Sequence, residues 1–242
     1  MFDMHCHVDL IDPMSKFCAA TEKLNISILA MTTIPRAYEA ERRILSSYPT
    51  IYIALGFHPQ LVADRKNELA LFDKYVSSSK YIGEVGLDFS KRFYFSKKEQ
   101  TIAFEHIIQS CIYSKTISIH SVFSDRYVLD ILERNNTTEH NNCILHWYSG
   151  SFTQLERAIE MGCYFSVNEQ MLNSPNGTKI IARIPIERMV LESDAPFVGN
   201  IKTAEALSLS LAKTSENLCR IKQEGNRDLI NYTSRKLLGS NI

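Results

Sequence analysis

The chain has 242 residues, 45% hydrophobic and 22% charged, with 27 basic residues against 27 acidic ones. That size and composition predict one ordinary globular domain with a sizeable core. The zero net charge excludes a global field pulling the chain to nucleic acid or an acidic membrane, so any such contact must be local.

The first predicted strand is Phe2–Val8 in "FDMHCHVDL", whose alternation sends His5 and His7 to one face and Cys6 to the other. "PMSKFCAATEKLN" follows as a helix with proline at its start, and "PRAYEAERRILSSY" repeats the device after a strand at Ser27–Ile34. Further strands are expected at Ile51–Phe57, Tyr81–Leu87, Thr116–His120, Asn142–Trp147, Cys163–Asn168 and Met189–Asp194. Amphipathic stretches such as "KKEQTIAFEHIIQSCIYSK" and "SFTQLERAIEMG" lie between them. Eight strands alternating with helices predict a single (β/α)8 TIM barrel over residues 1–242, with a doubly wound open sheet as the alternative. No apolar run reaches the ~20 residues of a membrane span. The N-terminus reads directly into a strand, without a signal peptide, so a cytoplasmic setting with no membrane contact is expected. The six cysteines form no C-x-x-C pair and read as buried reduced thiols.

Polar residues gather where the predicted strands end. His58 follows the third strand in "GFHPQ", Glu84 lies in "YIGEVGLD", His120 closes "TISIHS", His146 falls in "CILHWYSG" and Asp194 ends "VLESDAP". With His5 and His7, five of the seven histidines fall on this map, at the face where barrel active sites are built. A lone buried histidine is more often a satisfied core residue than a ligand. Four histidines converging with a glutamate and an aspartate are better explained by metal, since burying that many polar groups uncompensated is costly. Six candidate ligands would crowd one ion, so two ions sharing a carboxylate fit better. His106, in mid-helix, and His140, in a polar loop, are read as structural or solvated.

At these residues the chain resembles the TatD-type metal-dependent nucleases. "MHCHVDL", "GFHPQ", "YIGEVGLDF", "ISIHS", "HWYSG" and "ESDAPF" are similar to that family's motifs, in the family's order, along nearly the whole chain. "ALGFHPQL" and "HWYSG" further resemble the TatD-like branch found in four-gene Qat anti-phage defence systems. The resemblance implies an amidohydrolase-like barrel and a two-metal phosphodiesterase centre holding Zn2+, Mn2+ or Mg2+. It implies that His5, His7 and Asp194 hold one ion, that His120 and His146 hold the other, and that Glu84 bridges them. Asp194 would also accept the proton of the attacking water, and His58 would contact substrate phosphate or support the ligands.

Several features depart from that pattern. "ESDAPFVGNIKTAEAL" runs almost directly into a helix, where the family carries a basic nucleic-acid loop. Val122 stands where an arginine is common, and Gln60 where a histidine is. Glu192 reads equally as a partner of the ligands or as an interior ion-pair member, and Asp88 as an orienting group or an ordinary loop carboxylate. "DFSKRFYFSKK" interleaves aromatic and basic side chains, as a single-strand grip does, or as an exposed loop tucked beneath the next helix does. Trp147 and Tyr148, beside His146, are the expected rim contacts for substrate. The absence of G-K-[ST] and G-x-S-x-G argues against nucleotide-cofactor and serine-hydrolase chemistry. The expected function is metal-dependent DNA hydrolysis, from an end or on single strands, with partner proteins of a defence operon. The alternatives are an ester or amide hydrolase, for example an aminoacyl-tRNA deacylase, and a barrel that binds nucleic acid or partners without catalysis.

Overall fold

The computed structural model of the protein describes residues 1–223 and 227–239. Among them are eight strands: β1 Phe2–Cys6, β2 Ser27–Met31, β3 Ile51–Leu55, β4 Tyr81–Asp88, β5 Thr116–Val122, β6 Asn142–Leu145, β7 Tyr164–Val167 and β8 Met189–Leu191. They belong to one sheet ordered as in the chain, β1 through β8. The pairs β1/β2, β3/β4, β4/β5, β5/β6 and β7/β8 are all parallel, with helical segments in between. This is the strand count and connection pattern of a (β/α)8 barrel.

Every expected strand is present, but six of the eight end earlier than the hydrophobic pattern suggests. After Cys6 the chain turns at once into a 3-10 turn, Val8–Leu10, and after Leu191 it leaves the ladder before Asp194. Periodicity reports which side chains are buried, whereas a strand ends where its backbone stops finding ladder partners. His7, His146 and Asp194 therefore lie just beyond strand ends, where backbone direction is freer. β5, by contrast, runs two residues past His120 because Leu87 and Asp88 of β4 continue the ladder with Ser121 and Val122.

The chain groups into two compact units. The first comprises Met1–Ala30, Glu41–Ile53 and Phe165–Ile242, and the second Met31–Ala40 and Ala54–Tyr164. In the first, the chain beyond β8 lies beside β1: the Asp194 N–H donates to His5 O at 2.9 Å, and the His7 N–H to Ala195 O at 2.8 Å. Every residue of β1 is buried, as expected for a parallel strand covered on both faces. Helix Met14–Lys23 of this unit buries Phe17, Cys18 and Thr21, which recur at helical spacing.

In the second unit, β4 and β5 approach closely at Gly86. A Cβ on Gly86 would lie 2.1 Å from His120 O, and Gly86 has φ +140°, so only glycine lets the strand bearing Glu84 meet the strand bearing His120. Helix Asp125–Arg134 packs Val128, Leu129, Ile131 and Leu132 inward. Helix Phe152–Glu160 begins at Ser151, whose Oγ accepts from the Gln154 N–H; removing such a cap costs about 1 kcal/mol. None of the six cysteines is in a disulfide, and five of them are buried.

Candidate metal centre

Alternation along β1 turns Asp3 and His5 to one side, and His7 continues that parity just past the strand. All three are buried, at 0%, 0% and 1% exposure. His5 Nε2 and His7 Nε2 are 3.3 Å apart, and each lies within 4 Å of Asp194 Oδ1, at 3.8 and 3.7 Å. Two ring nitrogens and a carboxylate oxygen thus converge out of contact with solvent. Two neutral imidazoles facing one another through these atoms share one proton at most, and a cation satisfies both lone pairs together with the carboxylate. The donor set, two imidazoles and one carboxylate, fits a transition-metal ion.

Asp194 has φ +51°, an uncommon conformation for a residue with a side chain. The preceding residue helps to fix it. Ser193 donates to Asp3 through its Oγ at 2.6 Å and its N–H at 2.9 Å, and the His5 N–H donates to the same carboxylate at 3.2 Å. Burial pushes the Asp3 carboxyl up to about 7 against the pull of those bonds, with the nearby Glu192 charge acting in the same direction as burial. Glu192 accepts from Ser166 Oγ and, at 2.8 Å, from Asn168 Nδ2. A carboxylate oxygen of Glu192 also lies within 4.8 Å of a ring nitrogen of His5. Phe197, 63% exposed, sets its ring edge-on to His7 at 5.2 Å.

The second unit gathers three predicted histidines around the carboxylate of a fourth predicted residue, Glu84. Glu84, 2% exposed, takes His120 Nδ1 at 2.6 Å and His146 Nε2 at 3.8 Å on Oε1, and His58 Nε2 at 3.3 Å on Oε2. Ligand atoms of His58, Glu84 and His120 all lie within 4.8 Å of one another. The other nitrogen of His120 is 3.3 Å from Asp88 Oδ2, so Asp88 is the orienting group rather than a loop carboxylate. Burial disfavours the His120 imidazolium, but Asp88 and Glu84 outweigh it and raise its pKa to about 9. Asp88 resists its own burial through bonds from His120, Ser90 and Gln60, and its carboxyl is held well below the usual range.

Gln60, which replaces a histidine expected at that motif position, serves this network twice. Its side chain donates to Asp88 Oδ2 at 2.7 Å, and its backbone N–H donates to His58 Nδ1 at 3.2 Å. The second bond fixes a tautomer. With Nδ1 accepting, the proton of neutral His58 is on Nε2, which makes that atom a hydrogen-bond donor rather than a metal ligand.

The rim differs from expectation at one residue. Trp147 is half-buried beside His146, with ring centroids 6.3 Å apart. Tyr148, expected beside it, is 1% exposed and directs its hydroxyl to Ser151 O at 2.8 Å and Asp125 Oδ2 at 3.3 Å. It is a buried brace for the turn, not a substrate contact. Sequence reasoning did not single out Asp3, Ser166, Asn168 or Ser193. Asp3 was the one with a visible signal, because it shares the parity of His5 and His7. His106 pairs with Asp73 at 2.7 Å on the surface, and His140 stacks edge-on with Tyr113, both outside these clusters.

A family model for TatD-related DNases matches residues 2–237. The chain is 26% identical over 214 residues to an uncharacterized metal-dependent hydrolase of Buchnera aphidicola subsp. Baizongia pistaciae, covering 83% of this chain and 80% of that protein. It is 22% identical to the human deoxyribonuclease TATDN3, over 98% of this chain and 93% of the relative. Its fold is similar to that of YJJV, the TatD homolog of Escherichia coli K12, with a TM-score of 0.81 and 20% identity over 99% and 95% of the two chains.

Proposed function

The chain belongs to the TatD-related DNase family, and from that premise we propose that it hydrolyses DNA phosphodiester bonds with two divalent ions, acting on single strands or ends. The observation that carries the reading is that every ligand implied by the motifs sits in a buried cluster focused on a carboxylate, Asp194 in one unit and Glu84 in the other. His5, His7 and Asp194 would hold one ion, His120 and His146 would hold the other, and Glu84 would serve both. Zn2+, Mn2+ or Mg2+, when bound, lowers the pKa of water and offsets charge developing on the phosphoryl oxygens.

The side chains do the rest. Asp194 accepts the proton of the attacking water. His58 donates from Nε2 to a phosphate oxygen, a role favoured by the tautomer that Gln60 imposes. Asp88 fixes the ring of His120 through the nitrogen that Glu84 does not take. Trp147 flanks His146 at the substrate side. Among the described residues no helix is long and apolar enough to cross a membrane, and a cytoplasmic role in anti-phage defence beside partner proteins completes the proposal.

The test is incubation of end-labelled single-stranded DNA and of p-nitrophenyl esters with the purified chain and Mn2+, with and without chelator. Chelator-sensitive shortening of the DNA is expected. Ester hydrolysis with intact DNA would move the substrate class from phosphodiesters to carboxylic esters.

A further inference from the structure

We propose that the surface following β4 and β5 is a stacking platform for unpaired nucleobases, with Phe123 as its principal face; the proposal rests on the nuclease reading. Phe123 is 81% exposed, yet it is held at φ +51°, where residues with side chains are uncommon. An exposed aromatic in a costly backbone conformation gains nothing from the core, which marks it as a display position. It stands three residues beyond His120. The ladder partner of Val122 is Asp88, and the Phe89 N–H donates to Val122 O at 2.9 Å, so Phe123 adjoins the start of the aromatic loop.

That loop is pre-organised. Phe89, 6% exposed, meets Tyr94 and Tyr127 edge-on at 6.2 and 5.2 Å. The Lys97 ammonium lies 4.0 Å from the Tyr127 ring, 4.7 Å from Phe89 and 5.4 Å from Tyr94. Anchored in this way, Tyr94 and Tyr127 remain 56% and 45% exposed, and the adjacent Phe95 is 77% exposed. From Phe89 to Lys98 the segment carries Lys91, Arg92, Lys97 and Lys98 and no acidic residue. Rings open to solvent and interleaved with cations match a strand whose bases alternate with phosphates. In a duplex the base faces already stack on each other, so the platform selects unpaired strands or frayed ends. It also supplies local grip to a chain with no net charge.

The experiment measures binding of fluorescent oligonucleotides of roughly 12 nucleotides, base-bearing or abasic, with Ca2+ replacing the catalytic metal. Wild type should prefer the base-bearing strand. Phe123→Ala and Phe95→Ala should each weaken that strand's binding roughly 5- to 100-fold and leave abasic binding unchanged, while Phe123→Trp preserves the preference. Phe123→Gly removes the ring and relieves the backbone, so its thermal midpoint should hold or rise while base-dependent affinity falls. Unchanged binding in both alanine variants, or equal losses on the abasic strand, would overturn the platform, as would variants that lose only a protein partner. A wild-type chain that cleaves no DNA under Mn2+ overturns the nuclease reading instead, and the two failures are thereby separated.

Discussion

Replacing Glu84 with glutamine keeps the shape of the side chain and deletes the charge around which His58, His120 and His146 are arranged. In the metal-free protein the first effect is on His120. Its pKa rises from 6.5 to about 9 because Asp88 and Glu84 together outweigh the burial that disfavours the imidazolium. Removing one carboxylate should lower that pKa by about one unit, visible by NMR titration of the ring protons. The larger effect is on metal and activity. Loss of a group that merely orients a ligand lowers metal affinity or activity about 10- to 100-fold. A carboxylate shared by both ions should exceed that, so a loss of about 1,000-fold or more in DNA cleavage is expected. It should be accompanied by metal content well below wild type, and either single variant, His120→Ala or His146→Ala, should be milder and partly rescued by excess metal. A folded Glu84→Gln enzyme cleaving end-labelled DNA within about threefold of wild type would refute the shared-carboxylate assignment.

Elemental analysis after reconstitution should give two divalent ions per chain, with Zn2+ or Mn2+ retained better than Mg2+ because the donor set is rich in histidine; less than half an equivalent would remove the two-ion assignment. Glu41 is 8% exposed, and burial first and then the neighbouring Asp9 charge raise its carboxyl from 4.5 to about 8 against the influence of His7. Since the unfolded chain releases that proton first, stability contributed at this position should fall as pH rises from about 4.5 to about 8. Glu41→Gln should flatten that decline in urea titrations, and an unchanged pH profile would show that the group is not buried neutral. Lys115, 7% exposed, donates through Nζ to Val76 O and Ser79 O at 2.7 Å each. Lys115→Met leaves both carbonyls without that donor and should cost about 2 kcal/mol in urea unfolding; a loss below about 0.5 kcal/mol would mean that other groups satisfy them.

The strand count and the clustering of histidines with acids were legible in the sequence because both are carried by local pattern. Hydrophobic alternation marks a strand wherever it lies, and the histidines and acids stand out by occurring at the ends of such runs. The family motifs added the expected division of ligands between two ions. Tertiary structure decided what depends on partners distant in the chain. Tyr148 resembled a rim aromatic beside Trp147, but Ser151 and Asp125 provide bonds for its hydroxyl inside the fold. Glu192 gains hydrogen bonds from Ser166 and Asn168, which reach it from β7 and the turn beyond. His58 is a donor only because the Gln60 backbone lies over its Nδ1, and Asp88 became an orienting group because β4 and β5 bring it to His120. A residue's type and parity are written in its own segment, whereas its protonation, hydrogen bonds and exposure are set by groups that only folding brings within a few ångströms.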